Sequence, residues 1–154
     1  MLHLALVEPE IHWNTGNLGR TALAAGATLH LVAPLGFSLD DKQLRRAGLD
    51  YWPRVALRLW PDWSRFEREL PSLGEAFCFS AGAARDYWDV RYPDETVLIF
   101  GRESVGLDRA LVAKFGERAL RIPMLDGELR SLNLSTAGAL AAYEVLRQRR
   151  YCAS

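Results

Sequence analysis

Neither sign of charge is in excess in this sequence: 19 lysines and arginines stand against 19 aspartates and glutamates in 154 residues. A bulk positive field of the kind that draws a protein onto nucleic acid is therefore excluded, and any phosphate binding must come from local clusters. Cysteine is scarce. Cys78 and Cys152 lack the spacing of a metal site, and Cys78, inside the apolar run AFCF, reads as a small core residue. No apolar stretch approaches the length of a membrane span, and no basic region followed by an apolar stretch opens the chain. There is no internal repeat and no low-complexity tract. These absences leave the expectation of a cytoplasmic protein of one domain with reduced thiols.

What is present is alternation. Short apolar runs at 2–7, 28–33, 55–59, 76–80, 96–100 and 119–122 predict strands, and helical patterns follow at 17–26, 41–48, 62–70, 108–115 and 135–149. Asp41 and Asp62 stand where a carboxylate accepts the unpaired N–H groups of a helix start. Strands that are apolar almost throughout, alternating with helices, predict an α/β fold: a mostly parallel sheet with helices on both faces. Ligands of such sheets bind beyond the carboxyl ends of the strands. Three loops at that edge are unusual: EPEIHWNTGNLGR (8–20), GRESVGL (101–107) and PMLDGELRSLNLS (123–135).

Each loop has two readings. In NTGNLGR the glycines fit neither a dinucleotide fingerprint nor a Walker loop. Either Asn14 or Thr15 caps a helix and Gly16 takes an unusual φ, or Arg20 is held at the carboxyl edge to grip an anion. In GRESVGL, Glu103 either sits in a plain strand-to-helix turn or holds a ligand or a neighbouring loop. Gly101 would there let a ligand approach the backbone. In the third loop, hydroxyls and amides alternate with leucines, which predicts Leu132 and Leu134 turned to the core and Ser131, Asn133 and Ser135 turned to a site. Asn133 or Ser135 also fits a helix cap. The small residues Ala137, Gly138, Ala141 and Ala142 predict close helix packing, either across a dimer face or against the ligand loops.

Taken together, N-x-G-N-x-x-R at 14–20, F-G-x-E-x-x-G-L at 100–107 and I-P-M…S-L-N-L-S-x-A at 122–137 resemble the three motifs of the SPOUT family of RNA methyltransferases. DDKQLRRAGLDY at 40–51 extends the likeness, which spans the chain and is nearest the minimal, single-domain TrmL-like branch. The resemblance implies a single SPOUT domain over 1–154 with a C-terminal trefoil knot, which no general rule of chain threading would suggest. It implies S-adenosyl-L-methionine as cofactor, transfer of its methyl group to a ribose 2′-hydroxyl of tRNA at the wobble position, and a homodimer whose face includes the last helix. Carried over by position, the cofactor meets Cys78, Phe79, Gly101, Ile122, Met124, Ser131 and Leu132, with Glu103 and Asn133 supporting those loops. Arg20 corresponds to the catalytic arginine, and Arg130 and Tyr143 to positions linked to RNA handling. No metal is implied. His12 and Trp13 stand where relatives of this branch often carry prolines. Trp13 there either stacks on a base or packs internally.

The implied reaction places the hard chemistry on the cofactor's sulfonium, so the protein has only to align oxygen and methyl and help the hydroxyl lose its proton. A guanidinium is a poor base, and Arg20 is accordingly expected to orient the substrate and stabilise the developing alkoxide. Local charge for an anticodon stem-loop is expected from Lys42, Arg45 and Arg46 on one helix, and from the arginines between 118 and 150. Other readings are a different tRNA or ribosomal RNA position, or an RNA-binding factor that keeps the fold without turnover.

Overall fold

The computed structural model describes residues 1–40, 42, 43 and 49–151. Among these, seven strands form one sheet: β1 (Leu2–Val7), β2 (Thr28–Val32), β3 (Leu57–Trp60), β4 (Glu75–Phe79), β5 (Arg85–Asp86), β6 (Thr96–Phe100) and β7 (Ala119–Arg121). Their order is β3-β2-β1-β6-β4-β7-β5, and every pairing is parallel. The helices are α1 (His12–Ala25), α2 (Trp63–Leu73), α3 (Arg109–Phe115) and α4 (Leu134–Tyr151). Six strands lie where the apolar runs predict them. The seventh, β5, is two charged residues long and carries no period for a sequence reading to detect. The expected helix at 41–48 and its start at Asp41 fall mostly outside the described residues. None of the described helices is long and apolar enough to cross a membrane.

Strand alternation sorts the core into two layers. Leu2, Leu4 and Leu6 of β1 join a cluster with Leu18 and Ala22 of α1 and Ala141, Ala142 and Val145 of α4. Ala5 and Val7 face the other way, toward Phe66 and Leu73 of α2, with Val112 and Phe115 of α3 packed alongside. Successive Cβ atoms of a strand point to opposite faces, so a run such as LHLALV is buried at every position only if helices cover both sides. Asp62 caps α2, its Oδ1 accepting the Arg65 N–H at 2.8 Å. Asp108 does the same for α3 through Ala110 N–H at 2.7 Å. Each such cap satisfies a donor that the helix leaves orphaned.

The small residues of α4 pack inside the chain. A Cβ placed on Gly138 would lie 2.4 Å from Cδ1 of Leu18, and Leu18 is fully buried. That leucine seats in the bare patch of α4, so α1 and α4 lie side by side on one face of the sheet. α1 itself begins earlier than its pattern predicts. It starts at His12 behind an N-cap at Ile11 that makes no side-chain cap bond, so NTGNLGR is helix interior rather than a capped turn. Gly16 and Gly19 are there for proximity: a Cβ on Gly19 would meet the Trp52 ring at 2.5 Å, and one on Gly16 would meet Leu49 at 3.0 Å. Tyr51 Oη closes the contact by donating to the Gly16 carbonyl at 2.8 Å.

Candidate active site at the carboxyl edge of the sheet

The strand order switches sides at the β1–β6 seam, with every strand still parallel: β2 and β3 lie to one side of it, and β4, β7 and β5 to the other. Loops leaving neighbouring strands at such a switch point diverge and open a crevice. The loop after β1 (8–11), the loop after β6 (101–107) and the long segment after β7 (122–133) all reach it. They surround a cavity of about 530 Å³ lined by, among others, Ile11, Asn14, Phe79, Gly101, Glu103, Ile122, Met124, Arg130, Ser131, Leu132 and Asn133. That volume is within the range of small-molecule sites, roughly 300–1,000 Å³.

The three loops are tied by one polar network. The Glu103 carboxylate accepts the backbone N–H of Glu10 at 2.8 Å and of Ile11 at 3.0 Å, and the Asn14 side-chain amide at 3.3 Å. Asn14 Oδ1 accepts from Asn133 Nδ2 at 2.9 Å. A carboxylate offers only acceptors, so Asn14 must turn its NH₂ to Glu103 and its oxygen to Asn133, and the amide orientation of both asparagines follows. Asn133 Oδ1 then caps α4, accepting the N–H of Ser135 at 2.9 Å and of Thr136 at 3.2 Å, and the Ser135 hydroxyl at 2.7 Å. Glu10 returns the favour to the second loop, its Oε1 accepting from Ser104 N–H at 3.0 Å and Ser104 Oγ at 2.6 Å. The Ser104 hydroxyl and then its N–H hold the Glu10 carboxyl below its ordinary range. Two loops far apart in sequence thus each place a carboxylate on the other's backbone.

Several expectations need correcting. Asn14 is no cap; it is buried within the helix and couples motif one to both other motifs. Gly101 is required by its own loop. A Cβ there would lie 2.3 Å from Gly106 C and Leu107 N, because 102 and 106 pair across the loop and Gly106 takes φ +70. Leu134 does pack on the core while also lining the cavity, and Leu132 lines the cavity without joining the core cluster. Arg20 is not at the carboxyl edge. It lies about 12 Å along the axis from the first residue of α1, exposed, with its guanidinium 4.9 Å over the Tyr51 ring.

Of the residues matched to cofactor contacts, Phe79, Gly101, Glu103, Ile122, Met124, Ser131, Leu132 and Asn133 are gathered at the cavity. Cys78 is not among its lining residues. It is fully buried in the layer under α2 and α3, and burial pushes its thiol up to about 12, which leaves it unreactive. Arg130 is at the cavity rim, Lys42 is exposed, and Tyr143 is exposed on the outer side of α4. Arg45 and Arg46 lie outside the described residues. Reading the sequence missed the clasp of Glu10 on Ser104 and the contribution of Ser80, Ala81 and Gly82 after β4. The one available signal for the clasp was a second carboxylate in EPE directly after a buried strand.

Residues 1–143 match the SpoU rRNA Methylase family. The chain is 42% identical over 153 residues to a tRNA (cytidine(34)-2'-O)-methyltransferase of Acidovorax sp. (strain JS42), covering 98% of this chain and 94% of that protein. A solved structure described as giving structural insights into the 2-OH methylation of C/U34 on tRNA is 47% identical, with a TM-score of 0.89 over 97% of this chain and 91% of that one. An AdoMet-bound rRNA methyltransferase from Sinorhizobium meliloti is 25% identical with a TM-score of 0.81, over 97% of this chain and 56% of that one. Fold, loop constellation and sequence agree, and the chain belongs to the SpoU rRNA methylase family.

Proposed function

We propose that this protein transfers a methyl group from S-adenosyl-L-methionine to a ribose 2′-hydroxyl of tRNA, at the wobble cytidine or uridine of the anticodon loop, acting as a homodimer. The observation that carries the reading is the convergence of three sequence-distant loops on one cavity, joined through Asn14, Glu103 and Asn133. Its lining suits the cofactor. Phe79, Ile122, Met124 and Leu132 offer an apolar wall for a planar base, and Ser131 with the exposed loop backbone offers polar partners for a sugar and an amino acid moiety. When bound, that cofactor supplies a methyl group already activated by a positively charged sulfur. The chain's own task is to hold loop geometry, exclude alternative poses and stabilise charge on the attacking oxygen. The same reading takes the path through 122–134 as the trefoil knot that the resemblance implies.

Arg20 supplies the reason for a dimer. Its guanidinium lies outside the cavity lining of its own chain, on the exposed side of α1. Arg20 of the partner subunit is proposed to meet the 2′-oxygen at the cavity mouth and to stabilise the alkoxide as the proton leaves. Ile11 and Leu140 are exposed on or beside α1 and α4 and offer apolar surface for such pairing. Lys42, Arg130 and Tyr143, with Arg45 and Arg46, are the groups proposed to meet the RNA, doubled by the dimer.

Mass spectrometry of tRNA nucleosides from cells with and without the protein is expected to show one 2′-O-methyl group missing at the wobble position. A missing methyl elsewhere would move the substrate, and an unchanged profile would overturn the enzyme reading. Arg20→Ala is expected to abolish transfer while calorimetry shows cofactor binding retained. Mixing Arg20→Ala with a cavity variant such as Gly101→Ala should recover activity that neither has alone. Failure to recover would place both groups in one subunit.

A further inference from the structure

His12 and Trp13, directly ahead of motif one, take no part in the three-loop network. Trp13 does not pack internally: it is 62% exposed at the start of α1. The His12 imidazole lies against its indole, ring centroids 4.3 Å apart and planes 34° from parallel. Phe37, half-buried, stands behind His12 at 6.4 Å. Its position is set by the loop after β2, where Gly36 N–H donates to the Pro9 carbonyl at 2.9 Å. A Cβ on Gly36 would strike the Glu10 backbone at 2.8 Å, so that loop is pressed against the strand-one loop. The result is a braced ladder of rings whose outer face is open.

His12 and Trp13 lie on the turn between Ile11 and Asn14, both of which line the cavity, so the ladder borders that cavity. A ribose whose 2′-oxygen reaches a methyl group in the cavity carries its base, and the flanking nucleotides, to that same border. A nucleotide held there cannot remain stacked in its loop, and an exposed π-face recovers part of the lost stacking. We propose that the Trp13 indole, backed by His12 and Phe37, is the stacking platform for an unpaired nucleobase of the RNA loop, at or next to the methylated nucleotide. The proposal rests on the reading of this protein as a methyltransferase of an RNA loop.

Binding of a fluorescently labelled anticodon stem-loop, followed by anisotropy with the full-length protein, tests it without requiring turnover. Trp13→Ala is expected to weaken binding about 5- to 150-fold, the range of one lost base–aromatic stack. Trp13→Phe is expected to stay near wild type, and cofactor affinity by calorimetry should be unchanged in both. Unaltered RNA binding by Trp13→Ala overturns the proposal. So does a loss accompanied by dissociation to monomers in sedimentation, which would make Trp13 a subunit contact. Methyl transfer by the wild type is measured separately. Trp13-dependent binding without any transfer would sink the enzyme reading and leave the platform standing.

Discussion

Acidification from pH 7 to pH 5 should destabilise this protein through a histidine pair far from the cavity. Trp60 Nε1–H donates to His30 Nδ1 at 3.0 Å, and His30 Nε2 pairs with His3 Nδ1 at 2.9 Å. An indole only donates, so His30 Nδ1 must accept, its proton is on Nε2, and His3 Nδ1 accepts in turn. A further proton on either Nδ1 would set donor against donor. His30 is wholly inaccessible, and burial first, then the neighbouring His3 and Arg58, lower its pKa from 6.5 to about 3. A folded-state value below the unfolded one means the stability is present above pH 6.5 and is lost as pH falls from 6.5 toward 3. Each unit in that window is worth about 1.4 kcal/mol, so the loss at pH 5 is about 2 kcal/mol. Burial also lowers His3, which acts in the same direction. The carboxylates held low, Glu10, Glu95, Asp126 and Glu144, lose their stabilising contribution only at more acid pH. Urea titrations by circular dichroism at pH 7 and pH 5 measure the loss, and His30→Asn should remove most of the difference between the two. Equal losses in wild type and variant, or an imidazole of His30 titrating near 6.5 by NMR, would refute the tautomer argument.

Two further outcomes follow from the cavity. Glu103→Gln puts an NH₂ where three N–H donors converge, and should cost about 1–3 kcal/mol and weaken cofactor binding by calorimetry, with more of the loss in kcal/mol than an exposed substitution such as Glu128→Gln. Gly101→Ala meets backbone, not a movable side chain, at 2.3 Å; it should destabilise by about 1–3 kcal/mol in urea and abolish cofactor binding, and an undisturbed variant would show the 101–107 loop to be looser than described.

The elements were legible because their signals are local. A buried parallel strand shows as an unbroken apolar run, and Asp62 marks a helix start by chemistry that needs only the next three residues. The motif glycines were legible as glycines but misassigned in role. Gly16, Gly19 and Gly101 have no positive φ to explain them. Each makes room for Leu49, Trp52 or residues 106 and 107, neighbours that no local pattern names. Arg20 was placed one turn into a helix that in fact begins at His12, because a helix start without a side-chain cap leaves no mark.

By itself the sequence determined the alternation of strand and helix, the two-sided burial of the sheet and the identity of three loops rich in polar groups, since each depends on neighbours within a few residues. Only the tertiary structure decided that these loops form one site. Placing β6 beside β1 sets Glu103 on the backbone of Glu10, 93 positions earlier, and Asn133 on Asn14, 119 positions earlier. It also turned Arg20 and Trp13 outward. Hydrogen bonds between residues so distant form only after the whole sheet has closed the chain between them, which is why no short window of sequence carries them.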